Sequence, residues 1–215
     1  MKGRLAVLFD MDGVLVDTEE LKAETHSACI ASFSAQVSKD LYSMLMGQSF
    51  NEVASAFIKE TGLKIDAKEY KKRFNSIYRK KIDQISKPND GCINTLKQCQ
   101  ALNLKLGVVT SSQRWMLEKI LSNVGILKLF DATIASEDVI EEKPSPEPYL
   151  SILSKLAVSP EQAIVFEDSA PGIQAASKAG IAVFGIRHFY NQHHDFSLTK
   201  KEFTSLIEVD LTELV

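Results

Sequence analysis

The sequence predicts an α/β fold: a parallel sheet with helices on both faces, interrupted once, after the first strand, by a wholly helical segment. Three observations carry this expectation. Short, continuous apolar runs alternate with amphipathic helical patterns over most of the chain. One stretch, from about Val14 to Pro88, lacks any such run and reads as helices alone. Polar and charged residues gather directly after the apolar runs, where an α/β sheet exposes the carboxyl ends of its strands.

The first apolar run, Leu5–Phe9, has no alternation and ends abruptly at Asp10, as a strand buried on both faces should. Leu104–Val109, Ala132–Ala135, Ala163–Phe166 and Ile181–Ile186 repeat the pattern and predict four further strands. Between them, Cys92, Ile93, Leu96, Cys99 and Leu102 share one helical face. Met116, Leu117, Ile120, Leu121 and Val124 share another, with Gly125 placed to end that helix. Ser145-Pro146 and Ser159-Pro160-Glu161-Gln162 read as helix starts, the second with capping-box spacing. Within the helical stretch, helices are expected near Glu19–Phe33, Phe50–Thr61 (ending at Gly62) and Ala67–Ile85. The expected organisation is a three-layer, Rossmann-like core from residues 1–14 and 89–215, with a helical cap domain from 15–88.

Composition narrows the class of function. The 215 residues carry 25 Lys and Arg against 28 Asp and Glu, a formal charge of −3, which favours neither nucleic acid nor a membrane surface as a partner. Lys2 and Arg4 precede an apolar run too short for a secretory h-region, and three cysteines without C-x-x-C spacing give no disulfide framework. A cytoplasmic monomer is the expectation.

Four strand ends deliver chemistry to one rim: Asp10 and Asp12, then Thr110 and Ser111, then Lys143 from a loop, then Glu167 and Asp168. Carboxylates so close repel unless a hard cation joins them, and Mg²⁺ takes one or two carboxylates together with waters and a substrate phosphate. Asp10 can then attack a phosphoryl group, whose oxygens Lys143, Thr110 and backbone N–H groups stabilise. Asp12, two residues on, points to the same side once the chain turns at Gly13, and can protonate the leaving alkoxide and then activate water.

The run FDMDGVLVDT (Phe9–Thr18) resembles the first motif of the haloacid dehalogenase superfamily, D-x-D-G-[TV]-x-x-D. VVT at Val108–Thr110, EKPSPEPY at Glu142–Tyr149 and FEDSAPGIQAA at Phe166–Ala176 follow in family order. The resemblance is nearest to the branch of β-phosphoglucomutase and small sugar-phosphate phosphatases, which have a helical cap. It implies Asp10 as nucleophile, Asp12 as acid and base, and Thr110 and Lys143 as phosphoryl ligands. It also implies Mg²⁺ held by the Asp10 side chain, the Asp12 carbonyl and Asp168, with Glu167 at or beside the metal.

Two departures favour hydrolysis of a small phosphorylated metabolite, with a sugar phosphate first in line, over mutase chemistry. Lys22 stands where the mutases carry a histidine, and Phe50 in GQSF replaces the arginine that grips a second phosphate. The alternative is a β-phosphoglucomutase-like phosphosugar mutase; a third reading is a binding module that keeps the site without turnover. Substrate selection is assigned to Lys22, Gln48, Phe50 and Ser112. Asp17 is expected to cap the first cap helix or brace the hinge, and Trp115 to pack in a helix core. KKRFNSIYRKK is read as a solvated helix face over an apolar stripe, and RHFYNQHH as a polar surface loop.

Overall fold

The computed structural model describes residues 3–38 and 40–214. Five runs form strands close to their expected limits: β1 (Ala6–Phe9), β2 (Lys105–Val109), β3 (Ala132–Ile134), β4 (Ala163–Glu167) and β5 (Ala182–Ile186). A sixth, β6 (Lys201–Phe203), went unread because it is a three-residue edge strand with two exposed charged residues. All pair in parallel, in the order β3-β2-β1-β4-β5-β6. The order reverses between β1 and β4, and the crevice at such a switch point is where ligands bind in open α/β sheets.

Alternation along the central strands builds two core layers. Val7 and Phe9 face one side with Ile164 and Phe166, whereas Ala6 and Leu8 face the other with Ala163 and Val165. Helices α5 (Cys92–Ala101) and α6 (Arg114–Asn123) cover the first side; α7 (Glu147–Leu156) and α8 (Ala170–Lys178) cover the second. Two readings of this region need correction. Ile93 and Leu102 are 38% and 41% exposed, and Thr95 takes a buried place on α5 instead. Ser159-Pro160 opens only a 3₁₀ turn, 160–162, because Ala163 is already committed to β4 beside Ala6.

The segment between β1 and α5 is helical: α1 (Glu19–Ala31), α2 (Asp40–Leu45), α3 (Phe50–Thr61) and α4 (Ala67–Lys81), followed by a 3₁₀ turn over 82–84. Helix α2, six residues long, gave no readable period. The expected helix to Ile85 instead tightens at Ile82, and that to Phe33 stops at Ala31. Ser49 and Glu52 form a reciprocal capping box at the start of α3, and Gly62 closes it at φ 66°. Asp66 caps α4 by accepting from the Glu69 N–H at 2.7 Å. Tyr70, Phe74 and Tyr78 bury one face of α4 while Lys and Arg residues occupy the other, the amphipathic arrangement read from the sequence. Asn89 ties the two passages between sheet and helices: its N–H donates to the Leu15 carbonyl (2.8 Å), and its side chain to those of Gly13 (3.3 Å) and Val14 (3.0 Å).

Among the described residues no helix is long and apolar enough to cross a membrane. The helical segment rests on α6 through a reciprocal Asn75–Gln113 amide pair, 3.0 Å in each direction, and through the Arg79 guanidinium 3.7 Å from the Trp115 ring centroid. Trp115 therefore packs between the segment and the core and does not line the cavity below.

Candidate active site

Where β1 ends, the Asp10 N–H still donates to the Phe166 carbonyl (2.9 Å), so the Asp10 side chain is the first to leave the sheet. The chain then turns at Gly13, whose φ is 78°. A β-carbon there would stand 2.0 Å from Asp168 Oδ2 and 2.9 Å from His188 Nε2, so only glycine lets the turn lie against the end of β4. This turn returns Asp12 to the cavity beside Asp10.

A cavity of about 80 Å³ lies at the carboxyl ends of β1, β2 and β4 beneath the helical segment. Asp10, Asp12, Thr110, Ser111, Ser112, Lys143 and Asp168 line it from the core; Lys22, Gln48 and Phe50 line it from the helical side. Of the expected site residues only Glu167 is absent from its wall.

Lys143 organises the acids. Its Nζ donates to Asp10 Oδ1 (2.7 Å), Glu167 Oε1 (2.5 Å) and the Val109 carbonyl (3.0 Å), which uses all three protons. Burial opposes its charge, but Asp10 and Glu167 more than offset this and raise its pKa, so it stays an ammonium. Glu167 is fully buried. Its Oε1 also accepts from Tyr149 (2.8 Å), and its Oε2 accepts from the N–H groups of Asp168 (3.0 Å) and Ser169 (3.2 Å) and the Ser169 hydroxyl (3.1 Å). Gly172 keeps room for it, since a β-carbon there would lie 1.9 Å from Oε1. Glu167 is thus a partner of Lys143 with both oxygens engaged by protein donors.

Asp12 is held differently. Its Oδ1 accepts from Thr18 (2.5 Å) and Lys22 (2.9 Å), and its Oδ2 from Ser112 (2.8 Å) and Thr110 (3.0 Å). Burial pushes its pKa up, but the Lys22 ammonium and these hydrogen bonds outweigh burial and lower it. Asp10 goes the other way: burial raises it well above the ordinary range, Lys143 opposes, and Glu167, Asp168 and Asp12 add to the rise. Two carboxylates two residues apart therefore have divergent proton affinities: without a cation beside them, Asp10 favours its protonated form and Asp12 its carboxylate.

Several contributors carried no local signal. His188, in the stretch read as a surface loop, puts its Nε2 2.8 Å from Asp168 Oδ2. Asn191 donates to the carbonyls of Asp168 and Ile186, both at 2.8 Å, while its Oδ1 accepts from the His188 N–H (2.9 Å). His194 is also buried and accepts from the Ala170 N–H at 3.1 Å, so this loop is part of the site's support. Glu19, buried at the start of α1, receives the Tyr42 hydroxyl (2.9 Å) and approaches Lys22 (3.4 Å). Its position next to the first motif was the one available hint. Asp17 does not cap α1: Thr18 is the N-cap, without a side-chain cap bond, and Asp17 is exposed near Asn89 and Asp90 at the hinge.

Among the described residues no three His, Cys, Asp or Glu side chains are arranged to hold a metal ion by themselves. Asp10 and Asp168 nonetheless form a suitable donor pair for a hard cation that completes its shell with carbonyls and waters. Burial and the neighbouring carboxylates push the pKa of both upward, an excess of confined negative charge that a cation would offset.

Known proteins resemble the chain in sequence and in fold. A phosphorylated carbohydrates phosphatase of Thermotoga maritima is 35% identical over 188 residues, covering 86% of this chain and 87% of the relative. The fructose-1-phosphate phosphatase YqaB of Escherichia coli is 26% identical, over 84% of this chain and 95% of its own. A crystal structure of β-phosphoglucomutase from Clostridium difficile superposes with a TM-score of 0.86, covering 98% of this chain and 95% of that one, at 21% identity, a likeness of fold. Residues 7–186 match the family model described as haloacid dehalogenase-like hydrolase, and the chain belongs to that family.

Proposed function

We propose that the protein is a Mg²⁺-dependent phosphatase that hydrolyses a small phosphorylated carbohydrate through an aspartyl-phosphate on Asp10. The observation that carries this reading is the convergence of Asp10, Asp12, Thr110, Lys143 and Asp168 on one cavity at the sheet's switch point. The names of the Thermotoga and Escherichia relatives support a carbohydrate ester as substrate.

In this scheme an Asp10 carboxylate oxygen attacks phosphorus, and the ester P–O bond breaks. Asp12 gives its proton to the departing alkoxide. The Lys143 ammonium and the Thr110 hydroxyl would turn from Asp10 and Asp12, to which they donate without substrate, to the oxygens of the transferring group, and Ser111 lies beside them. Asp12, now a carboxylate, takes a proton from water. That water attacks the phosphoryl group, and Asp10 is released with inorganic phosphate. The Asp10 and Asp168 carboxylates and the Asp12 backbone carbonyl would hold Mg²⁺, which supplies charge neutralisation for the phosphoryl oxygens when bound. Asp12 enters the cycle protonated, although Lys22 and its other donors favour the carboxylate; arrival of the substrate must redirect the Thr110 and Ser112 hydroxyls, while Lys22 stays with Glu19.

The helical segment would act as the cap. Ligand sites commonly measure at least about 300 Å³, so a cavity of about 80 Å³ describes a closed state that opens to admit a sugar phosphate. Hydrolysis is favoured over mutase chemistry because Phe50, packed on Phe74 with centroids 5.1 Å apart, offers no cation to a second phosphate. The test is a phosphate-release screen over hexose, pentose and polyol phosphates with Mg²⁺, run beside Asp10→Asn. Release that requires Asp10 is the expected result, and release undiminished in the variant would overturn the scheme.

A further inference from the structure

Among the described residues, the charges around the cavity leave no cation for the leaving group. Its wall carries four carboxylates (Asp10, Asp12, Glu19 and Asp168) and two ammonium groups (Lys22 and Lys143). Lys143 is engaged with Asp10 and Glu167. Lys22, the one lysine that the helical segment supplies to the wall among the described residues, lies 2.9 Å from Asp12 and 3.4 Å from Glu19. Lys22 is thus shared between two carboxylates that both lie within ion-pair distance of its Nζ. His26, also on the wall, is neutral: burial in a nest of aromatic rings lowers its pKa to about 3. Lys71 lies 5.6 Å from the Phe50 ring centroid but does not reach the wall, and Glu142 lies within range of its charge. The remaining helical-side wall is apolar or uncharged, with Met46, Gln48, Phe50, Val53 and Phe74 prominent.

We infer that Glu19 makes this site selective for phosphate monoesters whose leaving group is uncharged. Esters whose leaving group carries a carboxylate or a second phosphate are disfavoured. The inference rests on the phosphatase reading for its catalytic arm and goes beyond it by naming a residue and a substrate class. Glu19 is 2% exposed and fixed by the Tyr42 hydroxyl at 2.9 Å, so it cannot swing away from an anionic ligand. It also occupies, among the described residues, the one ammonium on the helical side of the wall that could answer such a ligand. A unit charge about 6 Å away at an effective dielectric of about 20 corresponds to roughly a hundredfold in affinity, and partial solvation would reduce this toward tenfold.

Two substrate pairs isolate the charge: glycerol 3-phosphate against 3-phosphoglycerate, matched in size, and fructose 1-phosphate against fructose 1,6-bisphosphate. Selectivity is read as the ratio of kcat/KM in the wild type and Glu19→Gln, and independently as the ratio of Kd by calorimetry on the same pair of proteins carrying Asp10→Asn. The amide keeps the shape and an acceptor for Tyr42, and a melting curve checks that the variant folds. The expected result is a preference of at least about tenfold for the uncharged leaving group, with at least most of that preference lost in Glu19→Gln. Equal treatment of both members of a pair by the wild type, or an unchanged ratio in the variant, would overturn the inference. Preserved binding selectivity without phosphate release would instead overturn the phosphatase reading while upholding the role of Glu19.

Discussion

His26 allows a quantitative test of the charge balance in the cavity. Its ring lies 4.9 Å, centroid to centroid, from Phe57 and 4.4 Å from Phe74, and its Nδ1 is 2.8 Å from the Tyr70 hydroxyl. Burial, with a smaller contribution from the Lys22 ammonium, lowers its pKa from 6.5 to about 3. The unfolded chain therefore binds more protons at this residue between those two values, and stability rises with pH across that window. The contribution is fully present above the unfolded value of 6.5 and is lost as pH falls toward about 3. Moving from about pH 7.5 to about pH 5 charges His26 in the unfolded chain alone, at a cost of about 2 kcal/mol to the fold. His26→Gln removes this linkage and leaves the Tyr70 hydroxyl a partner. Urea unfolding of both proteins at the two pH values should show the wild type losing about 2 kcal/mol more than the variant. His188 and His194, whose pKa values are also depressed by burial, contribute equally to both proteins and cancel. Equal pH dependence would refute a neutral His26 and return a cation to the cavity wall.

Two further substitutions probe the core side of the site. His188→Ala frees Asp168 Oδ2 from its 2.8 Å partner, and the affinity for Mg²⁺ measured by calorimetry should fall about tenfold, as when the partner of a ligating group is removed; unchanged affinity would show that Asp168 needs no such support. Gly13→Ala forces a β-carbon to within 2.0 Å of Asp168 Oδ2 at a φ of 78°. The backbone strain alone is about 1–2 kcal/mol, or roughly 2–8 °C in Tm for a chain of this size, and phosphate release should fall with it; a variant that melts and turns over like the wild type would contradict the close approach.

The parallel core was legible because its strands are buried on both faces and read as unbroken apolar runs. The short edge strand β6 has no such run and was invisible. Asp10, Asp12, Thr110, Lys143 and Asp168 stood out because each directly follows a strand or occupies a distinctive loop, so local sequence carried their placement. Glu19, Tyr42, His188 and Asn191 act through contacts made between distant segments, and no local period or spacing marks them. RHFYNQHH shows the difference well: its composition is that of a surface loop, but the parallel pairing of β5 with β4 brings His188 and Asn191 against the end of β4. Lys22, assigned to the substrate from the sequence, lines the cavity and bridges Asp12 and Glu19. Only the folded arrangement reveals that competition.

The central claim, that Asp10 carries the phosphoryl group, is tested most directly by trapping it. Rapid acid quench during turnover of a ³²P-labelled sugar phosphate, followed by peptide mapping, should find label on the peptide containing Asp10, and none in Asp10→Asn. Turnover without any protein-bound label, or label on another residue, would contradict the account.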